Sequence, residues 1–207
     1  MSDWWDEYKV SVPEGRSGDW AIERFTIGEK DAEFANFRSI FSGGCTHFHA
    51  GTYTRLISKA SPHCSPLMSD TVDEILDHLS VINEAHGQVL INGLGLGMVL
   101  QAVLRKPEVE HVTVIEHSPD IIALVEPHYR KMFGDRFTVI LADAYTWEPP
   151  KGQRYDVVWH DIWGDFSTDL LPQMAKLHRK YGRRCNWQGS WKREYLLYMK
   201  RRERREE

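Results

Sequence analysis

Glycines or acidic residues follow each of four apolar runs in the middle of this sequence. The runs cover 89–91, 112–115, 137–141 and 156–159, and the residues that close them are Gly93, Glu116, Asp143 and Asp161. In open α/β sheets, ligands bind outside the carboxyl ends of parallel strands. We therefore expect these four positions to converge on one crevice.

The first of these segments is a glycine-rich turn, read as Asn92-Gly93-Leu94-Gly95-Leu96-Gly97. Glycines let the backbone turn sharply and let a ligand approach, and N–H groups at a helix start favour an electronegative group. A dinucleotide fingerprint has its third glycine where this chain has Met98, which argues against NAD. We predict that Asn92, Gly93, Leu94, Gly95 and Gly97 bind a cofactor; the alternative is a tight turn without a ligand.

Two acids extend this predicted cofactor site. Glu116 lies 19 positions after Gly97, where doubly wound folds place an acid on the ribose hydroxyls. One carboxylate can accept hydrogen bonds from both hydroxyls. We therefore assign Glu116 and its neighbour His117 to the cofactor, with a surface acid at a strand end as the alternative. Asp143 and Ala144 end the third run, and we expect Asp143 to accept from an adenine amino group.

Helix patterns alternate with these runs. They are predicted from Asp70 or Thr71 to about Ala85, over 97–106 before Pro107, from Ser118 to Phe133 before Gly134, and over 168–181, with one more strand over 185–191. Strands that lack polar alternation and are separated by helices indicate a mostly parallel sheet covered on both faces. The predicted fold is a doubly wound, Rossmann-like α/β fold. Because 46 residues follow Asp161, we expect it to be shortened at its C-terminal side.

Three regions are expected along the chain. Residues 1–66 form a small N-terminal α+β layer, 67–191 form the Rossmann-like core, and 192–207 form a charged C-terminal helix or tail. Within the layer, 20–27 alternates like a strand, 29–41 has helical spacing with Phe34 and Phe37 before Gly43-Gly44, and 52–57 looks extended.

Composition narrows the cellular setting. The chain has 207 residues, 42% of them hydrophobic, a formal net charge of -4 and three cysteines, an odd number that fits a reducing compartment. No secretory signal or membrane span is evident, so we expect a cytoplasmic protein without a membrane partner. The sequence leaves a homo-oligomer open.

Two further features are weaker. Zinc-type ligands occur at Cys45, His47, His49, His63 and Cys64, but their spacing matches no standard zinc pattern, and we expect no metal. The stretch 176–205 holds 12 of the 26 Lys and Arg residues. This favours a solvated helix face, with nucleic-acid binding as the alternative.

Taken together, the glycine turn and the three acids resemble the class I S-adenosylmethionine-dependent methyltransferases. The spermidine synthase branch is the most similar, since Glu74-Ile-Leu-Asp-His78 resembles its Glu-x-x-x-His segment and His-Asp161-Ile-Trp163 sits where that branch has its catalytic aspartate. Ile91 also replaces the acid that most methyltransferases carry in strand one. The resemblance, which covers about 70–171, implies S-adenosylmethionine or its decarboxylated form as the cofactor.

The chain also departs from the spermidine synthase pattern. Leu96 stands where that branch has an acid in the turn, Gly164 stands at its second aspartate with Asp165 adjacent, and Val72 replaces its gate tyrosine. These departures favour methyl transfer over aminopropyl transfer.

Our first hypothesis is a methyltransferase for an amine or hydroxyl on a small molecule, with Asp161 orienting or deprotonating the nucleophile. Strand alternation should turn His160 to the other face. The second hypothesis is an aminopropyltransferase with an acidic pocket, and the third is a cofactor-binding protein without chemistry. The residues expected to meet the substrate, including the acids of that pocket, are Asp70, Asp73, Glu74, His78, Trp163 and Asp165.

Overall fold

A computed structural model describes residues 3–41, 48–60, 66–164 and 166–206. The strands are β1 (Gly15–Ser17), β2 (Trp20–Ile27), β3 (Gly51–Ser58), β4 (Pro66–Ser69), β5 (Gly87–Asn92), β6 (Val109–Glu116), β7 (Phe137–Leu141), β8 (Tyr155–His160) and β9 (Cys185–Ser190). The α-helices are α1 (Glu29–Phe41), α2 (Val72–Glu84), α3 (Met98–Leu104), α4 (Pro119–Phe133), α5 (Leu171–Tyr181) and α6 (Arg193–Glu206), and short 3-10 turns cover Trp4–Tyr8, Gly134–Arg136 and Thr168–Leu170.

The larger sheet has five parallel strands in the order β7-β6-β5-β8-β9. Ile91 of β5 is level with Val114 of β6 on one side and with Trp159 of β8 on the other. The chain moves outward from β5 in one direction and then crosses to β8, so the switch point lies between β5 and β8. This arrangement confirms the predicted parallel α/β fold.

Helices cover both faces of this sheet. Apolar residues of α2, α3 and α4 pack on one face in a continuous core, while Leu177 and Tyr181 of α5 pack on the other. All seven residues of α3 are buried, Gln101 included. A helix without a polar face belongs inside a fold rather than at its surface, and α3 accordingly lies directly behind the glycine turn.

The N-terminal strands form a separate antiparallel sheet in the order β1-β2-β3-β4. Val12, Ile22 and Leu56 are buried in the same core as Val125 of α4, so this layer packs on the Rossmann-like core. β4 runs to Ser69, slightly beyond the predicted end of the layer.

Asp70 does not lie where the sequence hypothesis placed it. Its side chain is 1% exposed and accepts the N–H groups of Val10 at 3.0 Å and Thr54 at 2.6 Å. The carboxylate therefore joins two N-terminal segments and is not part of the cavity wall, and its role toward a substrate stays a prediction. A buried carboxylate that accepts backbone N–H groups on both oxygens stabilises the fold.

Most helix predictions are confirmed with small shifts of their ends. Ser118 accepts the N–H of Ile121 as the cap of α4, Pro119 starts that helix and Gly134 ends it. The predicted helix over 97–106 is shorter, and the first three residues of the one over 168–181 form a 3-10 turn. α1 is present, but Phe34 and Phe37 are 64% and 60% exposed. Gly43 and Gly44 lie outside the described residues.

The C-terminal elements agree with the predicted strand and charged helix. β9 pairs with β8, and α6 packs on α5 through Leu196 and Leu197. Nucleic-acid binding by the basic surface of α6 stays a prediction. Across the described part of the chain, no helix combines the length and the apolarity needed to cross a bilayer.

Gly97 should be sensitive to added volume. Its φ is 73°, and a Cβ would lie 2.1 Å from the ring of Tyr129. A left-handed backbone costs about 1–2 kcal/mol for other residues and overpacking about 1–3 kcal/mol. Gly97→Ala should therefore lower the free energy of unfolding, measured in denaturant, by about 2–5 kcal/mol.

Gly152→Ala is the matched control, since its φ is 84° and a Cβ there would meet no atom within 4 Å. Only the backbone cost of about 1–2 kcal/mol applies to it. Equal losses in the two variants would show that the Tyr129 contact contributes nothing.

Candidate active site

A cavity of about 280 Å³ lies at the carboxyl ends of β5, β6, β7 and β8. Nine of the predicted site residues line it: Glu74, Gly93, Gly95, Glu116, His117, Asp143, Ala144, Asp161 and Trp163. The four strand ends therefore converge as the sequence indicates. Their roles toward a ligand remain predictions.

The remaining predicted residues lie outside this wall. Asn92, Leu94 and Gly97 belong to the glycine turn but do not line the cavity, and neither does Asp73 of α2. His78 contacts Asp161 from the protein interior. Asp165 lies outside the described residues.

Close packing explains two glycines of the turn. A Cβ on Gly93 would lie 2.0 Å from the carbonyl oxygen of Asp161, and a Cβ on Gly95 would lie 2.4 Å from the sulfur of Met68. Met68 of β4 also lines the cavity, and its sulfur accepts the N–H of Leu96 at 3.4 Å. Sequence patterns gave no indication of Met68, because the N-terminal sheet brings it to the turn.

The N–H groups of the turn are mostly used within the protein. Those of Gly93, Leu94, Leu96 and Gly97 have partners. The N–H of Gly95 has none among the described residues, and Gly95 lines the cavity. One backbone donor is therefore available to an electronegative group.

Glu116 is held by the backbone on both of its oxygens. Oε2 accepts the N–H of Leu94 and Oε1 the N–H of Ser118, each at 2.8 Å, and Nδ1 of His117 lies 3.1 Å from Oε1. A carboxylate offers about four acceptor sites, so Oε2 keeps one site for a ligand hydroxyl. Glu116 thus fixes the turn while keeping acceptor capacity toward the cavity.

Asp143 begins an aromatic wall. Its Oδ1 accepts the N–H of Tyr145 at 2.6 Å, and the hydroxyl of Tyr145 accepts the indole N–H of Trp163 at 3.1 Å. Tyr145 was not among the predicted residues, although it directly follows Asp143-Ala144. Flat rings beside a carboxylate suit a planar ligand with an amino group.

Asp161 has few partners for its charge. Its main-chain N–H donates to Asn92, which anchors the segment to β5, while Oδ2 lies 3.5 Å from Nε2 of His78. His78 is fully buried, and burial lowers its pKa to about 3, so its ring is neutral at physiological pH. Burial, helped by the charge of Asp77, raises the pKa of Asp161 to about 7. A carboxyl with such a pKa can gain or lose a proton near neutral pH.

Glu74 faces the same cavity from α2. Burial and the charges of Asp161 and Asp77 raise the pKa of Glu74 to about 8, and the charge of Lys192 opposes this. Lys192 itself is paired with Asp77 at 2.6 Å. Among the described residues no Lys or Arg lines the cavity. Such a cleft favours a cationic ligand.

His160 points away from Asp161, as predicted from strand alternation. Its ring packs between His178 and Tyr181 on the opposite face of the sheet, and Nδ1 lies 2.7 Å from the side-chain nitrogen of Asn92. His160 therefore contacts Asn92 at the end of β5 on the face of the sheet opposite Asp161, and it does not line the cavity.

The structure describes one of the five zinc-type residues, His49. Cys45, His47, His63 and Cys64 fall outside the described residues, and the ring of His49 lies 4.5 Å from that of Trp5. Within the described ranges no group of three metal-ligating side chains is present.

No family model matches the chain, and a comparison with curated sequences finds polyamine aminopropyltransferases. The chain is 38% identical over 123 residues to polyamine aminopropyltransferase 1 of Streptomyces coelicolor, which covers 54% of this chain and 22% of that protein. It is 34% identical over 82 residues to polyamine aminopropyltransferase 2 of Ralstonia nicotianae, covering 36% and 16%. The matched region thus spans about a fifth or less of the relatives' length.

Solved structures with a related fold include the CcbJ methyltransferase of Streptomyces caelestis, at 19% identity and a TM-score of 0.42 over 53% of this chain and 44% of that one. The N-methyltransferase NodS of Bradyrhizobium japonicum matches at 16% identity and a TM-score of 0.40 over 54% and 58%. Because these identities and TM-scores are low, the fold assignment is based on the strand order of the larger sheet. The chain is therefore similar, over part of its length, to polyamine aminopropyltransferases, the group that its Glu74–His78 and Asp161 segments resemble.

The raised pKa of Glu74 predicts a pH-dependent stability. The folded protein holds this proton up to a pKa of about 8, whereas an ordinary glutamate has a pKa of 4.5. Stability should therefore fall as the pH rises from about 5 to about 8 and stay low above that range. Glu74→Gln removes this loss, so the variant should exceed the wild type by at least about 1 kcal/mol at pH 9 and by little at pH 5.

Denaturant unfolding at several pH values measures this difference. Glu33→Gln, on the exposed surface of α1, is the matched control and should follow the wild type throughout. A Glu74→Gln curve parallel to that of the wild type would contradict the burial of an ionisable group at this position.

Proposed function

We propose that this chain is a transferase that binds an S-adenosylmethionine-type cofactor in the cleft and transfers a carbon group to an amine on a small molecule. One observation carries the proposal: the raised pKa values of Asp161 and Glu74 occur beside the glycine turn, in a cavity without a lysine or arginine in its described wall. Sequence similarity to polyamine aminopropyltransferases supports it.

The described residues fit the adenosine portion of such a cofactor. Glu116 retains acceptor capacity for a ribose hydroxyl, Gly95 offers a free N–H, and Asp143 lies beside Tyr145 for an adenine. When bound, the sulfonium cofactor supplies an electrophilic carbon together with its own leaving group. The protein then has to align the nucleophile and remove its proton.

Asp161 would accept that proton. An amine can attack only while its nitrogen lone pair is free, and a carboxylate with a pKa of about 7 can take up a proton at neutral pH. His78 is neutral, so it does not hold Asp161 in the charged form by ion pairing. Glu74 would release its own proton and bind a second, protonated nitrogen of the acceptor.

Charge in the cleft favours aminopropyl transfer from the decarboxylated cofactor. A cofactor carboxylate would find no lysine or arginine among the described wall residues and would face Glu74 and Asp161 instead. The decarboxylated form brings only positive charge. The names of the sequence relatives point in the same direction.

Methyl transfer is the second candidate, and Leu96 favours it. The spermidine synthase pattern has an acid at this position of the turn, whereas Leu96 is fully buried and its N–H is bonded to Met68. No carboxylate is therefore offered there to the ammonium of an aminopropyl group. A protein that binds the cofactor and transfers nothing is the third outcome.

Asp161→Asn should separate these outcomes. The amide keeps the shape of the side chain but is a poor base, so turnover should fall by about 10²–10⁴ while cofactor affinity stays near normal. Single-turnover transfer from radiolabelled S-adenosylmethionine and from its decarboxylated form, with diamines and hydroxylated acceptors, measures the effect. Asp135→Asn, at a fully exposed acid, is the control.

Equal rates in Asp161→Asn and the wild type would remove Asp161 from catalysis. Transfer from S-adenosylmethionine alone would establish the methyl candidate. Tight cofactor binding without transfer to any acceptor would leave a binding protein.

Glu116→Gln should weaken binding of either cofactor by about 1.5–3 kcal/mol, the range for a hydrogen bond to a charged group. Calorimetric titration of the folded variant measures it, and Glu126→Gln on α4, whose carboxylate pairs with Arg130, is the control. An unchanged affinity would place the ribose elsewhere.

A further inference from the structure

Lys192 has an unusual backbone at the edge of the candidate site. Among the described residues it is the non-glycine residue with a positive φ, 54°. It lies two residues after the end of β9, and its ammonium reaches Asp77 of α2 at 2.6 Å, although the two residues are 115 positions apart. Left-handed backbone is unfavourable for lysine and persists only where surrounding contacts impose it.

Asp77 adjoins the wall of the cavity. It lies one helical turn after Glu74 and close to the side chain of Trp191, which lines the cavity. Its charge raises the pKa of both Glu74 and Asp161. Glu74, Asp77 and Asp161 therefore form one group of three interacting carboxylates, which we call the acidic triad.

His78 is a buried polar residue that contacts the acidic triad through Asp161. Its ring is fully buried, neither ring nitrogen has a hydrogen-bond partner among the described residues, and Nε2 lies 3.5 Å from Asp161. Buried polar atoms of this kind are rare unless a ligand or water completes them. On the inner side of the triad, both ring nitrogens of His78 therefore lack a hydrogen-bond partner among the described residues.

The charges of the triad differ in whether they are already neutralised. Asp77 is paired with Lys192, whereas no lysine or arginine contacts Glu74 or Asp161 closely enough to form an ion pair within the described residues. An amine with its reacting nitrogen at Asp161 and one ammonium at Glu74 would satisfy the two unpaired carboxylates. A third nitrogen placed beyond Glu74 would approach Asp77, whose charge Lys192 already neutralises.

We propose that Lys192 is a specificity-determining residue, a built-in cation that neutralises Asp77, the carboxylate next to the acceptor cleft, and restricts the acceptor to a diamine. The inference rests on the proposed function, since it takes the cleft to bind an amine.

The test measures binding of 1,4-diaminobutane and of the triamine spermidine by calorimetry, with the wild type, Lys192→Asn, Lys192→Arg and Lys59→Asn. Asparagine tolerates the left-handed backbone but carries no charge. Lys59, paired with Glu23 in the N-terminal sheet, serves as the distant control.

Lys192→Asn should raise the ratio of triamine to diamine affinity at least tenfold. Lys192→Arg keeps the cation and should stay within about twofold of the wild type, as should Lys59→Asn. An unchanged ratio in Lys192→Asn, with diamine binding intact in the wild type, would overturn the inference and leave the proposed function standing. No amine binding by the wild type would overturn both.

Asp77→Asn keeps the test decisive if Lys192→Asn does not fold. It leaves the ammonium of Lys192 without its partner, so that it competes for Glu74, and diamine affinity should fall at least tenfold. Unchanged diamine affinity in folded Asp77→Asn would overturn the inference, because a purely structural clasp predicts no change in amine binding.

Discussion

The carboxylate of Glu116 connects the two halves of the cleft. One oxygen accepts the N–H of Leu94 in the glycine turn after β5, and the other accepts the N–H of Ser118 at the start of α4 after β6. Hydrogen bonds to a charged acceptor are about twice as strong as neutral ones. Two adjacent strand ends are thereby held at a fixed separation, and the turn cannot relax without exposing an unpaired anion.

The close approach of the turn to β8 depends on this same geometry. Gly93 lies against the carbonyl of Asp161 so closely that any side chain would collide with it. The turn therefore positions Asp161 through backbone contact, while the N–H of Asp161 donates to Asn92 of β5. Under the proposed function, the residues that hold the cofactor and the residue that accepts the proton belong to one rigid unit.

Much of this arrangement could be predicted from the sequence, because it depends on local pattern. Apolar runs without alternation gave the parallel strands, and the residues that end each run gave Gly93, Glu116, Asp143 and Asp161. Strand alternation also placed His160 on the opposite face. In each case the property follows from the pleat of a strand or from the common direction of parallel strands.

Contacts between distant segments could not be predicted in this way. Asp70 precedes a helix like a capping residue, yet its carboxylate joins segments 16 and 60 positions away. Met68 reaches the turn only because the N-terminal sheet packs there, and Lys192 reaches Asp77 across 115 positions. Phe34 and Phe37 have helical spacing, but whether a face is buried depends on what packs against it.

Two carboxylates of the cleft, Glu116 and Asp161, differ in the protein groups that surround them. Glu116 receives backbone N–H donors on both oxygens and is suited to accept further hydrogen bonds. Asp161 faces a neutral imidazole and the negative charge of Asp77, and burial raises its pKa to about 7. Because backbone donors cannot leave, the first arrangement suits permanent binding. A proton or a cationic ligand can neutralise the charge of Asp161, so the second arrangement suits a residue whose charge changes during turnover.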